Sequence, residues 1–233
     1  MRGLATASLA LALLSMPLIA ADGPGIIGSD DRVITSDARF TAVGRLNLSG
    51  KGFCTATLIS PQVVMTAAHC TFSGRTGKPI PPDKIHFGAG WWKGKPLVHR
   101  LAKHVRRHPK YRRSSKPTAA DIALIVLESP ITHPRITPIP IDREQGRVRL
   151  SVPLTHVSYS KDRPHLPVIE NGCVVRAEEG RLLYTDCDSN FGGSGAPMLR
   201  QTKSGYRILG IVSGVVKRNG LRRIAAVRAH SEE

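Results

Sequence analysis

Ser194 stands in a glycine-rich turn, Asn190-Phe191-Gly192-Gly193-Ser194-Gly195-Ala196-Pro197, set between two apolar segments. A serine hydroxyl attacks a carbonyl carbon only when a base sits beside it and donors face the oxyanion that forms. Small neighbours let backbone N–H groups serve as those donors, and here Gly192 and Ser194 are placed to do so. Without a base and an orienting acid, the same turn reads as a flexible glycine loop with an incidental serine. The rest of the chain therefore has to supply both.

The candidate base is His69, in Thr66-Ala67-Ala68-His69-Cys70 at the end of an apolar stretch. A lone histidine is most often a surface or core residue. Here the neighbouring cysteine offers a covalent hold on the backbone that carries the imidazole, which suits a fixed general base. The candidate acid is Asp121, at the mouth of the apolar run Ile122 to Leu127. A carboxylate entering such a run must be paired or hydrogen-bonded, because leaving it bare costs several kcal/mol. A histidine N–H is one such partner, and a cap on the strand or turn is the other reading.

Short strands must position these residues. The 233-residue chain has 17 prolines and 22 glycines spread along it, with Val/Ile/Thr-rich runs between them and no sustained helical period. That pattern predicts an all-β protein. Expected strands run over 40–48, over two stretches flanking the Ser60-Pro61 turn, around 85–87, and over the buried run 122–127. In the second half they run over 147–159, 172–177, 182–185, 206–216 and 224–227, the last two joined by an Asn219-Gly220 hairpin turn. The basic run 99–116 and residues 161–167 are expected as loops. Proline-studded residues 130–146 read as a link between two halves, 22–135 and 136–233.

Residues 1–21 carry an early arginine, an apolar run broken by small residues and Pro17, and a small-residue exit at Ala20-Ala21. This reads as a secretory signal, with an uncleaved anchor as the alternative; the run is short and interrupted for a membrane span. The expected destination is outside the reducing cytosol, secreted or periplasmic, with no span after signal removal. Four cysteines fit such a compartment. They allow three pairings, of which Cys54 with Cys70 and Cys173 with Cys187 join sequence neighbours and close short loops, each contributing on the order of 3 kcal/mol. No Cys-x-x-Cys spacing favours a metal site, and nothing calls for a cofactor.

The formal charge is +17. It implies attraction to anionic surfaces in general. With aromatic residues at 5% and no motif beyond charge, a specific nucleic-acid reader is not indicated.

Taken together, Thr66 to Cys70, Asp121 to Leu124 and Gly192 to Pro197 resemble the trypsin/chymotrypsin-like serine proteases, in that family's chain order of His, Asp and Ser. His108-Pro109-Lys110-Tyr111 and Gly210-Ile211-Val212-Ser213-Gly214 are supporting matches, so the resemblance spans about 26–227. The short spacing and the Asp30-Asp31-Arg32 opening are more similar to the bacterial glutamyl-endopeptidase-like branch. The resemblance implies two six-stranded antiparallel β-barrels with the site in the cleft between them. It implies an endopeptidase of polypeptides, with His69 as base, Asp121 orienting it, Ser194 as nucleophile, and an oxyanion hole from Gly192 and Ser194. It also implies a Cys54–Cys70 disulfide and substrate contacts at Asp188, Ser213 and Gly214.

Three residues depart from the pattern. Gly193 stands where trypsin-like zymogens have the aspartate that receives a freed N-terminus. Val212 stands where the glutamyl branch has its glutamate-binding histidine. Asp188 holds the place of the pocket aspartate that selects Lys and Arg, but in a different cysteine context. A non-catalytic protease-like module that binds anionic surfaces through its basic face is the alternative function.

Overall fold

The computed structural model describes residues 25–229 apart from 28, 114–116 and 145. The leader expected over 1–21 lies outside the described residues. The first element, β1 (Val33–Ile34), is a short strand outside both barrels. The first barrel is built from β2 (Val43–Leu48), β3 (Gly52–Ser60), β4 (Val63–Thr66), β5 (Ile85–Ala89), β6 (Val98–Arg107) and β7 (Ala123–Leu127). It closes in the order β2-β3-β4-β7-β6-β5.

The second barrel contains β8 (Pro153–Ser160), β9 (Arg163–Glu179), β10 (Leu182–Thr185), β11 (Pro197–Thr202), β12 (Gly205–Arg218) and β13 (Leu221–Arg228). Its strands run β9-β10-β13-β12-β11-β8, and pairing of β8 with β9 completes the ring. All ladders are antiparallel. The chain is thus all-β, as expected, with two closed six-stranded barrels. The helical pieces among the described residues are single 3₁₀ turns, and no helix is long and apolar enough to cross a membrane.

Alternation explains the barrel walls. In β7, Ala123, Ile125 and Leu127 point inward and are buried, while the residues between them are only partly covered. Each buried Leu or Ile contributes roughly 1.5–3 kcal/mol through removal from water. The largest apolar cluster runs through both barrels, from Leu46, Leu58 and Phe87 in the first to Tyr159, Ile208 and Ile211 in the second. A second cluster, with Leu154, Leu183, Met198 and Ile224, fills the second barrel. Packing continuous across the barrel junction fixes the relation between loops borne by different barrels.

Four stretches differ from expectation. Residues 147–152, expected at the start of a strand over 147–159, are turn and coil, and β8 begins only at Pro153. Residues 99–107 of the basic run belong to β6 rather than to a loop. A bulge between the pairs Ala102↔Leu127 and His104↔Val126 leaves Lys103 unpaired and shifts the alternation by one residue. The period-2 signal is therefore broken in the middle of the strand. Residues 163–167, expected as loop, continue a hairpin between β8 and β9 that pairs Ser160 with Arg163. Strand β11 was hidden behind the glycine-rich turn. The Asn219-Gly220 turn joins β12 to β13 with both residues at positive φ, 48° and 77°.

Candidate active site

Strand β4 ends at Thr66 and the chain enters a 3₁₀ turn, Ala68–Thr71, that carries His69. The Cys70 N–H donates to Ala67 O at 3.1 Å, and a disulfide joins Cys70 to Cys54 on β3. The expected second disulfide, Cys173 to Cys187, is also formed. Asp121 closes its own turn by donating its N–H to Thr118 O at 3.0 Å, just before β7 begins. A small apolar cluster of Ala68, Tyr111 and Ala123, flanked by Phe72, packs the two turns together.

The consequence is a close His69–Asp121 pair. Asp121 Oδ1 accepts the His69 main-chain N–H at 2.8 Å, and Oδ2 accepts Nδ1–H at 2.7 Å. The Ser213 hydroxyl donates to the same Oδ2 at 2.6 Å. Burial alone would raise the Asp121 carboxyl, but the His69 hydrogen bonds and charge together with Ser213 outweigh it and hold it below the ordinary carboxylate range. With Nδ1 donating to the carboxylate, Nε2 is left as the basic nitrogen of a neutral ring. The imidazole is about one third exposed while the carboxylate is nearly buried.

Ser194 is held chiefly through its backbone. Its carbonyl accepts the Thr55 N–H at 2.9 Å and lies 3.8 Å from Cys70 Sγ, so the turn is seated against the strand that bears the disulfide. No hydrogen bond joins His69 Nε2 to the Ser194 hydroxyl in this structure; Nε2 lies 3.7 Å from Cys70 Sγ. The N–H groups of Gly192 and Ser194 have no acceptor among the described residues, whereas Gly193 donates to Asn190 O at 2.8 Å and Gly195 to Val212 O at 2.7 Å.

Glycine is required here by space as well as by conformation. At Gly192 (φ +95°) a Cβ would fall 2.4 Å from the Phe53 ring, and at Gly195 (φ +78°) 2.2 Å from Thr66 Oγ1 and 2.4 Å from Thr55 O. At Gly193, the position that bears an aspartate in zymogens, a Cβ would meet Ser189 Oγ at 2.2 Å and Asn190 O at 3.0 Å, so a side chain there requires Ser189 to turn away.

The three residues expected to touch substrate are placed differently from one another. Ser213 and Gly214 line a cleft of about 600 Å³ with His69 and Asp121, although the Ser213 hydroxyl is already engaged by Asp121. Asp188 is outside that lining and buried. Its Oδ1 accepts the Ile27 N–H at 2.6 Å and its Oδ2 the Asp31 N–H at 3.1 Å. Both oxygens are thus turned to the N-terminal arm rather than offered to a pocket.

The arm itself carries no signal in the sequence beyond its charged motif. Gly25 O accepts the Ser189 N–H at 3.0 Å, and Arg32, itself buried, pairs with Asp30 and Asp162 at 2.8 Å each. Asn190 Nδ2 donates to Asp162 Oδ1 at 3.2 Å, which extends the network to the chain leading into Ser194. Glu170 Oε2 accepts the Asp188 N–H at 2.6 Å, and burial, with the nearby charges of Asp188, Asp31 and Asp186, pushes the Glu170 carboxyl up to about 8. Asp30-Asp31-Arg32 was the available signal for this brace. Its partners Asp162 and Glu170 carry no local pattern.

Cys54, His69 and Cys70 bring potential metal ligands within 4.8 Å of one another, but both sulfurs are bonded in the disulfide and neither is a thiolate.

A family model described as Trypsin matches residues 26–231. Phenoloxidase-activating factor 3 of Holotrichia diomphalia is 27% identical over 225 residues, covering 81% of this chain and 64% of that protein. A trypsin of Saccharopolyspora erythraea is 31% identical over 108 residues, covering 46% of this chain and 43% of the other. The chain matches less than two thirds of the length of the curated relatives. Among solved structures, a Glu endopeptidase in complex with MPD superposes with a TM-score of 0.75 at 19% identity, covering 89% of this chain and 94% of the other, which is a likeness of fold.

Proposed function

The chain belongs to the trypsin family, and from that premise we propose that it is an exported serine endopeptidase working through His69, Asp121 and Ser194. The observation that carries the reading is the bonding of Asp121, which accepts both the N–H and Nδ1–H of His69 and so aims Nε2 away from itself. Ser194 Oγ attacks the scissile carbonyl carbon while Nε2 takes its proton. The oxyanion is received by the unspent N–H groups of Gly192 and Ser194. The imidazolium, stabilised by the Asp121 carboxylate, then returns the proton to the leaving amine. Water, deprotonated by the same nitrogen, releases the acyl group from Ser194.

Export is supported by the leader-like 1–21 segment and by two disulfides, which persist in oxidising compartments. Substrates are polypeptides. The second-barrel wall of the cleft at Ser213, Gly214 and Val215 is uncharged, which favours a small or apolar side chain before the scissile bond. Asp188, occupied by the arm, gives no support to a Lys or Arg preference.

Cleavage-site profiling on a denatured proteome tests activity and this preference together. New N-termini that appear with the wild type and not with Ser194→Ala are expected. Retention of the polyanion affinity suggested by the +17 charge, with no cleavage of any peptide, would instead make the chain a non-catalytic binding module.

A further inference from the structure

The walls of the cleft carry three cations that the catalytic reading does not use. Lys51 stands at the tip of the β2–β3 hairpin, where Ser49 and Gly50 take positive φ and the Lys51 N–H donates to Leu48 O at 3.0 Å. Arg75 lies in the loop after His69, closed by Gly77 N–H to Ser73 O at 2.9 Å. Arg113 reaches over that loop, and its Nη1 occupies the space beside Gly77, 2.5 Å from where a Cβ would be. All three line the cleft with His69, Asp121 and Ser213.

None of the three has an ion-pair partner among the described residues, although many of the chain's other arginines are paired. Asp121 is the sole acid among the described residues of the lining, and its oxygens are taken by His69 and Ser213. The three cations therefore outnumber the one lining carboxylate, which is already engaged. Unpaired charges of one sign on the walls of a concave site concentrate ligands of opposite sign, even where each charge is exposed.

Their position gives the effect a direction. Lys51 lies three residues before Cys54 and Arg75 five after Cys70, and both line the cleft with that disulfide and His69, on the side from which His69 delivers its proton to the leaving amine. We propose that Lys51, Arg75 and Arg113 select polypeptides with acidic residues just downstream of the scissile bond. The selection rests on the endopeptidase reading above, and it is separate from the side chain held before the bond.

The test uses the full chain and a pair of peptides alike except for Glu-Glu or Ser-Ser downstream of one cleavable bond. Exposed pairs are individually weak, so two acids are expected to favour the Glu-Glu peptide about tenfold in kcat/KM at low salt. Binding of the same peptides to Ser194→Ala reads the preference without turnover, so failure of catalysis and failure of selection are told apart. The ratio should fall close to one in Lys51→Ala/Arg75→Ala/Arg113→Ala. It should persist in Lys103→Ala/Arg106→Ala, which removes two exposed charges from the outer face of β6. Equal binding of the two peptides, or the same loss of preference in both multiple variants, would overturn the proposal, the latter by assigning it to overall charge.

Discussion

The main-chain N–H of Ile27 donates to Asp188 Oδ1 at 2.6 Å across 161 residues of sequence. With Asp31 N–H on the other oxygen, the arm is fastened to the segment that leads, six residues on, into Ser194. Asp188→Ala leaves two N–H groups without their acceptor, at roughly 1–3 kcal/mol each where buried. The expected result is a lower melting temperature and a lower kcat with unchanged preference for the residue before the scissile bond; Asp188→Asn, which keeps one acceptor, recovers part of both. A changed preference at full stability would return Asp188 to a substrate pocket.

Glu170 gives the fold a pH dependence of definite sign. Its carboxyl is raised from 4.5 to about 8 in the folded chain. The folded state therefore holds this proton more tightly than the unfolded state between those values. Its contribution to stability is full below about pH 4.5 and is lost as pH rises toward 8. Glu170→Gln keeps an acceptor for the Asp188 N–H and removes the titration. Thermal melts should show the wild type losing ground to the variant from pH 5 to 8.5, by up to a few kcal/mol, since each pH step of one between the two values is worth about 1.4 kcal/mol. Parallel curves over that range would refute the assignment.

Asp121 and Ser213 should separate in kinetics. Asp121→Asn disturbs the tautomer of His69, and the same change in the Ser-His-Asp triad of a serine protease costs about 10⁴ in kcat. Ser213→Ala removes one of three hydrogen bonds to the carboxylate and leaves both from His69. A loss of about tenfold in kcat, at roughly 1.4 kcal/mol, is expected. Steady-state assays that find Ser213→Ala as damaged as Asp121→Asn would show that Ser213 does more than hold the acid.

Gly195→Ala forces a methyl group to within 2.4 Å of Thr55 O and 2.2 Å of Thr66 Oγ1, at φ +78°. Strain at such a backbone costs on the order of 1–3 kcal/mol before the clash is counted. The variant should unfold earlier in denaturant and lose activity because the Ser194 carbonyl is pulled from the Thr55 N–H. A normal denaturation midpoint would mean that the turn is looser than described.

Much of this arrangement was legible in the chain. A continuous apolar run exposed β7, turn chemistry exposed the Asn219-Gly220 hairpin, and local context marked His69, Asp121 and Ser194. The structure places the first two in direct contact and seats the Ser194 turn against β3. What escaped was set by distant partners. Strand β6 was obscured because the bulge at Lys103 breaks its period, and charges occupy positions that in most strands are apolar. The use of Asp188 by the arm could not be read, since the Ile27 N–H that meets it is a backbone group that nearly every residue carries. Arg32, Asp162 and Glu170 likewise come together only through the fold.

The central claim is that Ser194 is the nucleophile activated by His69. A fluorophosphonate probe followed by peptide mass spectrometry tests it most directly. The account predicts one phosphonylated residue, Ser194, with labelling abolished in Ser194→Ala and strongly slowed in His69→Ala. Labelling that persists unchanged in Ser194→Ala, or that maps to another residue, would contradict it.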